Sequence, residues 1–298
     1  MNRMLRGNAL LGLAAALLWG GGDFSGGMGV KRAGGGLGAA LRVVLLSHAT
    51  SFTVMVAIAR ARGDAFPHGA LLASGIAAGV AGGLALTCFY IALSRGGMGA
   101  SAALSGLLAA AIPAAFTMWR EGSPGEQPLI GFAVAALAIW LIAGRPGDVA
   151  ADEGSARETM ALAMLAGVGF GVYFVALKMA GAGGVIWPMA TARIGSIGAC
   201  GLMFLGLRIR ERRAPATQVR VGWAVVAWVL STALLDTSGN LLFVVATRAG
   251  RLDVAAVVAS LYPASTILLA AFALGEWPTR RQAWGMITAL AAVLLIAL

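Results

Sequence analysis

Apolar runs of roughly twenty residues recur from one end of the chain to the other, and nothing constrains its fold more. Each run is long enough to cross a hydrocarbon core of about 30 Å. The runs do not alternate as barrel strands do, so the backbone must satisfy its hydrogen bonds within helices. The expected fold class is all-α integral membrane. Composition agrees: 59% of the 298 residues are hydrophobic and 11% charged, with mean hydropathy +0.86. Soluble domains carry about 25% charged residues.

A net charge of +10 would suit a nucleic-acid partner. The Lys and Arg residues, however, lie mostly in short connectors, where they set topology and touch lipid headgroups. Membrane lipids are therefore the expected partner, and nucleic acid is not. Cys88 and Cys200 fall inside apolar runs with no Cys-x-x-Cys pair, and His48 and His68 belong to different segments. Neither a disulfide framework nor a metal or other cofactor is expected. Arg3 and Arg6 ahead of an apolar stretch resemble a signal peptide. Without a small-x-small cleavage site the stretch is read as a retained first helix.

Ten transmembrane helices are expected, at about 8–28, 37–59, 69–93, 99–119, 128–144, 159–180, 186–207, 221–247, 253–275 and 281–298. The polar connector "RPGDVAADEGSARE" (145–158) divides the chain nearly in half. This gives a first five-helix repeat at 1–146, a linker at 147–158 and a second repeat at 159–298.

The halves align with one another. "LLGLAAALLWG" (10–20) meets "ALAMLAGVGFG" (161–171) at a shift of 151, which also superposes Arg42 on Arg193. "ALSRGG" (92–97) meets "ATRAGR" (246–251) at a shift of 154, and Glu121 meets Glu276 at 155. Because five is odd, the second half enters the membrane from the opposite side. Two such halves form an inverted repeat, an architecture of transporters with a site at the membrane midplane. Connectors on the N-terminal side carry 8 Lys and Arg against 12 on the other. The positive-inside rule then places both termini outside, although the excess comes mainly from the cluster between Arg208 and Arg220.

The first-helix "LLWGGGDF" (17–24), the paired Arg42 and Arg193, and the run from Val244 to Ala297 with Pro263, "GE" (275–276) and Gly285 carry a family resemblance. On these residues the chain resembles the EamA-type ten-helix proteins of the drug/metabolite transporter superfamily, and within them the exporters of aromatic amino acids. The resemblance implies export across the bacterial inner membrane, cytoplasmic termini and a cavity among helices 1, 3, 4, 6, 8 and 9. Those termini oppose the charge count. The first half also departs from the pattern: Pro263 should be matched near Leu108, but the proline stands at Pro113.

Asp236 and Asn240 share one helical face in mid-span, with Phe243 a turn further. At a shift of 154 the first-half equivalent of Asp236 is Gly82, so the duplicated fold does not itself require an acid. One reading is a substrate-ammonium or proton site; the other is an interhelical hydrogen bond. Asp23 admits the same two readings. Arg42, Arg193 and Lys178 are candidates to bind a substrate carboxylate or neutralise an Asp; at helix ends they could equally snorkel to headgroups, the reading preferred for the two arginines. Tyr90, Tyr173 and Tyr262 lie within spans, where hydroxyls need partners. With Trp19, Phe24 and Phe243 they would line an aromatic pocket in the cavity that the resemblance implies. Trp119, Trp187, Trp223, Trp277 and Trp284 are expected interfacial anchors. Gly75, Gly79 and Gly83 recur every four residues, as in close helix packing. Pro113 and Pro263 are candidate hinges.

No G-x-x-x-x-G-K-[ST] motif is present, so ATP is not expected to drive the protein directly. The expected activity is secondary export of a small molecule, an aromatic or hydrophobic amino acid, by a monomer. Export of a drug, nucleotide or sugar derivative is the alternative. An intramembrane enzyme would need a catalytic constellation in the spans, which His48 alone does not supply.

Overall fold

The computed structural model describes residues 2–95, 98–142, 153–211, 222–275 and 277–297. Residues 145–152 of the expected connector, Arg212, Arg213, Arg220 and Glu276 lie outside them. The described residues form eleven helices: α1 (Asn2–Arg32), α2 (Gly36–Arg62), α3 (Gly69–Ser94), α4 (Met98–Glu121), α5 (Glu126–Ile142), α6 (Glu153–Ala180), α7 (Ile186–Glu211), α8 (Trp223–Ala249), α9 (Leu252–Ala259), α10 (Pro263–Leu274) and α11 (Arg280–Ala297). Eight segments are long and apolar enough to cross a membrane, with α9 and α10 counted as one; α5 is apolar but has 17 residues. The protein is a multi-pass membrane protein.

Glycine ends several helices where the chain must turn. Gly63 closes α2 in the left-handed conformation (φ 69°), its N–H reaching the carbonyls of Ala59 and Arg60, and Gly275 closes α10 in the same way (φ 71°). These are positions that any side chain would strain.

The segment formed by α9 and α10 is where the fold departs from a simple rod. Pro263 has no N–H and its ring would clash with the Ala259 carbonyl. The helix stops at Ala259 and restarts with Pro263 in its first turn. By contrast α4 continues through Pro113, with the Thr117 hydroxyl donating to the Pro113 carbonyl (2.7 Å). Gly106 of α4 lies against the break: a Cβ there would come within 2.8 Å of the Ser260 carbonyl oxygen.

The most extensive helix contacts join α1 to α8, α3 to α6, α5 to α11 and α3 to α7, followed by α4 with α6 and α2 with α7. Gly75, Gly79 and Gly83 face α7, where added Cβ atoms would meet Thr191, Ala192 and Ser196. Gly195 answers from α7 against the Ile76 carbonyl. The α3–α7 seam is therefore backbone against backbone, as small residues permit in a bilayer. One large core cluster runs through α1, α2, α3, α6, α7 and α8; a second holds α5 and α11 against α4 and α9. Large apolar residues such as Leu10, Leu17, Leu202 and Leu234 cover the exposed faces, as a lipid-facing surface requires.

At the end of α8 a polar knot ties several helices together. Arg251 pairs with Asp253 (2.8 Å) and donates to the Gly122 carbonyl (2.7 Å), while Asn8 donates to the Arg251 carbonyl (2.8 Å). The hydrogen bonds that Arg251 donates to Asp253 hold its pKa above the ordinary value. Asp253 is fully buried and Arg251 is 21% exposed. Arg251→Ala is expected to cost about 2 kcal/mol, below the 3–5 kcal/mol of a fully buried pair because the guanidinium is partly screened. Thermal unfolding of the detergent-solubilised variant measures it.

Candidate functional site

Two glycines let α1 and α8 approach closely enough to build a site. A Cβ on Gly22 would lie 3.2 Å from the Asp236 backbone nitrogen, and one on Gly239 would lie 2.6 Å from the Trp19 ring. The Trp19 indole consequently rests on α8. It stacks on Phe174 (centroids 5.1 Å apart, 5° between planes) and tilts against Phe243 (5.3 Å, 41°). Beside this stack is a cavity of about 40 Å³. Trp19, Phe170, Tyr173, Phe174 and Tyr262 form its aromatic walls. Asp23, Arg193, Asp236 and Asn240 supply its polar groups. Such a volume holds a few waters. An amino acid would require the walls to part.

Arg193 organises the polar side. Its guanidinium donates to Asp236 Oδ2 (2.5 Å), to His48 Nε2 (2.9 Å) and to the Ser51 hydroxyl (3.1 Å), and it is 3% exposed. Because a guanidinium can only donate, His48 Nε2 must accept. The proton of the neutral imidazole is thereby assigned to Nδ1, which bonds the Ser196 hydroxyl (2.7 Å). Asn240 donates to Asp236 Oδ1 (3.0 Å) and to its carbonyl (2.7 Å), and accepts from the Tyr173 hydroxyl (2.6 Å). Thr237 donates to Ser51 (2.7 Å). Four helices, α2, α6, α7 and α8, are joined through one ion pair.

Tyr262, at the helix break, bonds Ser105 of α4 (2.5 Å). Asp23 stands apart: it is 8% exposed, lines the cavity, and makes no hydrogen bond or ion pair among the described residues. Among the described residues no group of three His, Cys, Asp or Glu could hold a metal ion.

Of the residues singled out in the sequence, Trp19, Tyr173, Asp236, Asn240 and Tyr262 come together at the cavity. Phe24, Tyr90 and Phe243 are buried behind it: Phe24 packs edge-on against Trp228, Phe243 backs the Trp19–Phe174 stack, and the Tyr90 ring covers Gly26. Lys178 is not part of the wall; it sits at the end of α6 and donates to the Thr247 carbonyl. Arg193, which the sequence left between snorkelling to headgroups and holding a substrate carboxylate or an Asp, does not snorkel but pairs with Asp236. It lies seven residues into α7, about 10 Å from the helix start, a depth that counting along the span could have revealed. Arg42 remains half-buried near the Phe204 ring. Trp187 is not an exposed anchor either: its indole donates to the Asp64 carbonyl (2.8 Å). Trp119, Trp223, Trp277 and Trp284 are exposed.

Phe170 and Phe174 were not foreseen, yet the expected alignment of the two halves contained the signal. At a shift of 151 Phe170 is the counterpart of Trp19, and Phe174 that of Asp23. Positions that this alignment matches, Trp19 with Phe170 and Asp23 with Phe174, line one cavity.

No curated protein matches the chain. A solved crystal structure of a protein 16% identical to it superposes with a TM-score of 0.69, covering 97% of this chain and 95% of that one. At that identity the likeness shows the fold alone. The model of the EamA-like transporter family matches residues 158–298. By that match the second half of this multi-pass membrane protein, which contributes Arg193, Asp236 and Asn240 to the cavity, is similar to the EamA-like transporters.

Proposed function

We propose that the protein is a secondary transporter of the drug/metabolite superfamily that exports aromatic or hydrophobic amino acids across a bacterial inner membrane. The observation that carries this reading is the cavity itself: charges of both signs behind aromatic walls, at the junction of α1 with α6, α7 and α8. Asp23 and Asp236 suit an ammonium group. Arg193, with three of its five N–H bonds accounted for, suits a carboxylate. The Trp19, Phe170 and Phe174 rings suit an apolar side chain.

The contact pattern supports an inverted repeat. Exchanging the first five spans with the last five turns the α1–α8 contact into α6–α3 and the α4–α6 contact into α9/α10–α1, while α2–α7 and α5–α11 map onto themselves. Alternating access by rocking of such halves opens the small cavity to each side in turn. The break between Ala259 and Pro263 is the hinge we favour over Pro113, because the backbone ladder is interrupted there.

A second reading, export of amine-bearing drugs without a carboxylate, is favoured by the excess of two acids over one guanidinium at the cavity. Reconstitution decides between them. Proteoliposomes preloaded with unlabelled phenylalanine should accumulate labelled phenylalanine by counterflow, and phenethylamine should compete less well. Competition by phenethylamine but by no amino acid would establish the amine reading. Transport of neither would reject both.

A further inference from the structure

We propose that Asp23 is the point at which a proton and a substrate ammonium exclude one another, so that binding of each ammonium releases one proton. The proposal rests on the transporter reading above and assigns its coupling to a residue that the sequence left with two readings.

Asp236, the acid that stands out in the sequence, is committed. Arg193 neutralises it and Asn240 satisfies its second oxygen. Asp23 has no such company, although it is nearly buried and borders the same cavity. The groups facing α1 from every packed element offer it no cation. The α8 element presents Asp236, α6 presents Tyr173, α3 presents Tyr90, and the α9–α10 break presents Tyr262. Arg193 of α7 is shared among Asp236, His48 and Ser51, and His48 of α2 is held as an acceptor. Asp253, at the start of α9, is bound by Arg251. On α10 and α11 the titratable groups are Arg280 and Arg281, both in the first turn of α11.

A bare carboxylate in such surroundings is held ionised only at high cost, so it takes up a proton or a cation. An ammonium entering here would also meet the faces of Trp19 and Phe174, which favour cations. The Tyr90 ring lies over Gly26, one turn from Asp23 along the same face of α1, and its buried hydroxyl has no partner among the described residues. A donor is thus left uncommitted near this carboxylate.

In the exchange, the Asp23 O–H bond breaks, its proton passes to water on the open side, and an ammonium N–H···O contact replaces it. Return with a proton completes the cycle, and no oxidant or reductant is involved. Export of a zwitterion against one proton carries one positive charge inward; export of a monocation is electrically silent.

Two measurements on the purified full-length protein test this. Infrared titration without ligand should show a protonated-carboxyl band that is present in the wild type and missing from Asp23→Asn. Addition of phenylalanine or phenethylamine in weak buffer should release about one proton, and the apparent Kd should rise about tenfold per pH unit on the acid side. Asp23→Glu should keep both signals, and Asp23→Asn should lose both while retaining the wild-type elution volume. A band that survives in Asp23→Asn, or proton release undiminished by it, would overturn the proposal even where transport is intact. A normal band that responds to neither probe would overturn the competition and count against the transporter reading as well.

Discussion

Arg193→Met is expected to lower stability by about 3–5 kcal/mol, the usual effect of stranding one member of a buried ion pair. The guanidinium is 3% exposed and Asp236 is 13% exposed, so little water is available to take over. Its loss also removes the donor to His48 and to Ser51, leaving two acceptors unmatched on α2. Helices already inserted in the bilayer find other partners when unfolded, which places the expected value toward the lower end of the range. The check is thermal unfolding of the detergent-solubilised variant beside the double variant Arg193→Met/Asp236→Asn. Removing both charges should recover much of the loss, because the remaining amide can still bond Asn240. Arg193→Lys should fall between, since an ammonium lacks the planar fork that reaches three partners at once. A single variant as stable as the wild type would mean that the pair is not buried in the membrane-embedded protein.

Gly79→Ala should be nearly as damaging although it adds one methyl group. The new Cβ would lie 1.7 Å from the Ala192 carbonyl oxygen and 2.6 Å from its carbon. Ordinary carbon contacts are about 3.5 Å or more, so α3 and α7 must part by roughly 1.5 Å. Overpacking typically costs about 1–3 kcal/mol, and here the obstacle is main chain that cannot rotate away. The displaced residue, Ala192, directly precedes Arg193, so transport should fall together with stability. Gly198→Ala, on the same helix with nothing within 4 Å of the added atom, should leave both unchanged. Equal behaviour of the two variants in melting temperature and counterflow would show that the α3–α7 seam is looser than described.

The helices were legible in the sequence for a local reason. A bilayer demands a run of about twenty apolar residues at each crossing, and each run can be read without knowing its neighbours. The interruption at Pro263 is local in the same sense, because a missing N–H and a ring clash act within one turn. Pro113 shows the limit of that rule: the same residue type sits inside a continuous α4. The Gly75, Gly79 and Gly83 stripe announced a close approach, but only the packed molecule shows that α7 is the helix that fills it.

The site was legible only in part. Asp236, Asn240, Trp19, Tyr173 and Tyr262 stood out because polar or large aromatic groups in an apolar span need a reason to be there. The pairing of Asp236 with Arg193, 43 residues away on another helix, depends on how α7 and α8 are rotated about their axes, and glycine seams set that rotation. His48 enters the same network across 145 residues, which no spacing rule reaches. The chain alone therefore determined which segments are helices and which side chains cannot face lipid. Tertiary packing decided which of those side chains neutralise one another, and left Asp23 as the cavity carboxylate without a partner among the described residues, because charge compensation depends on distances between helices that no local pattern encodes.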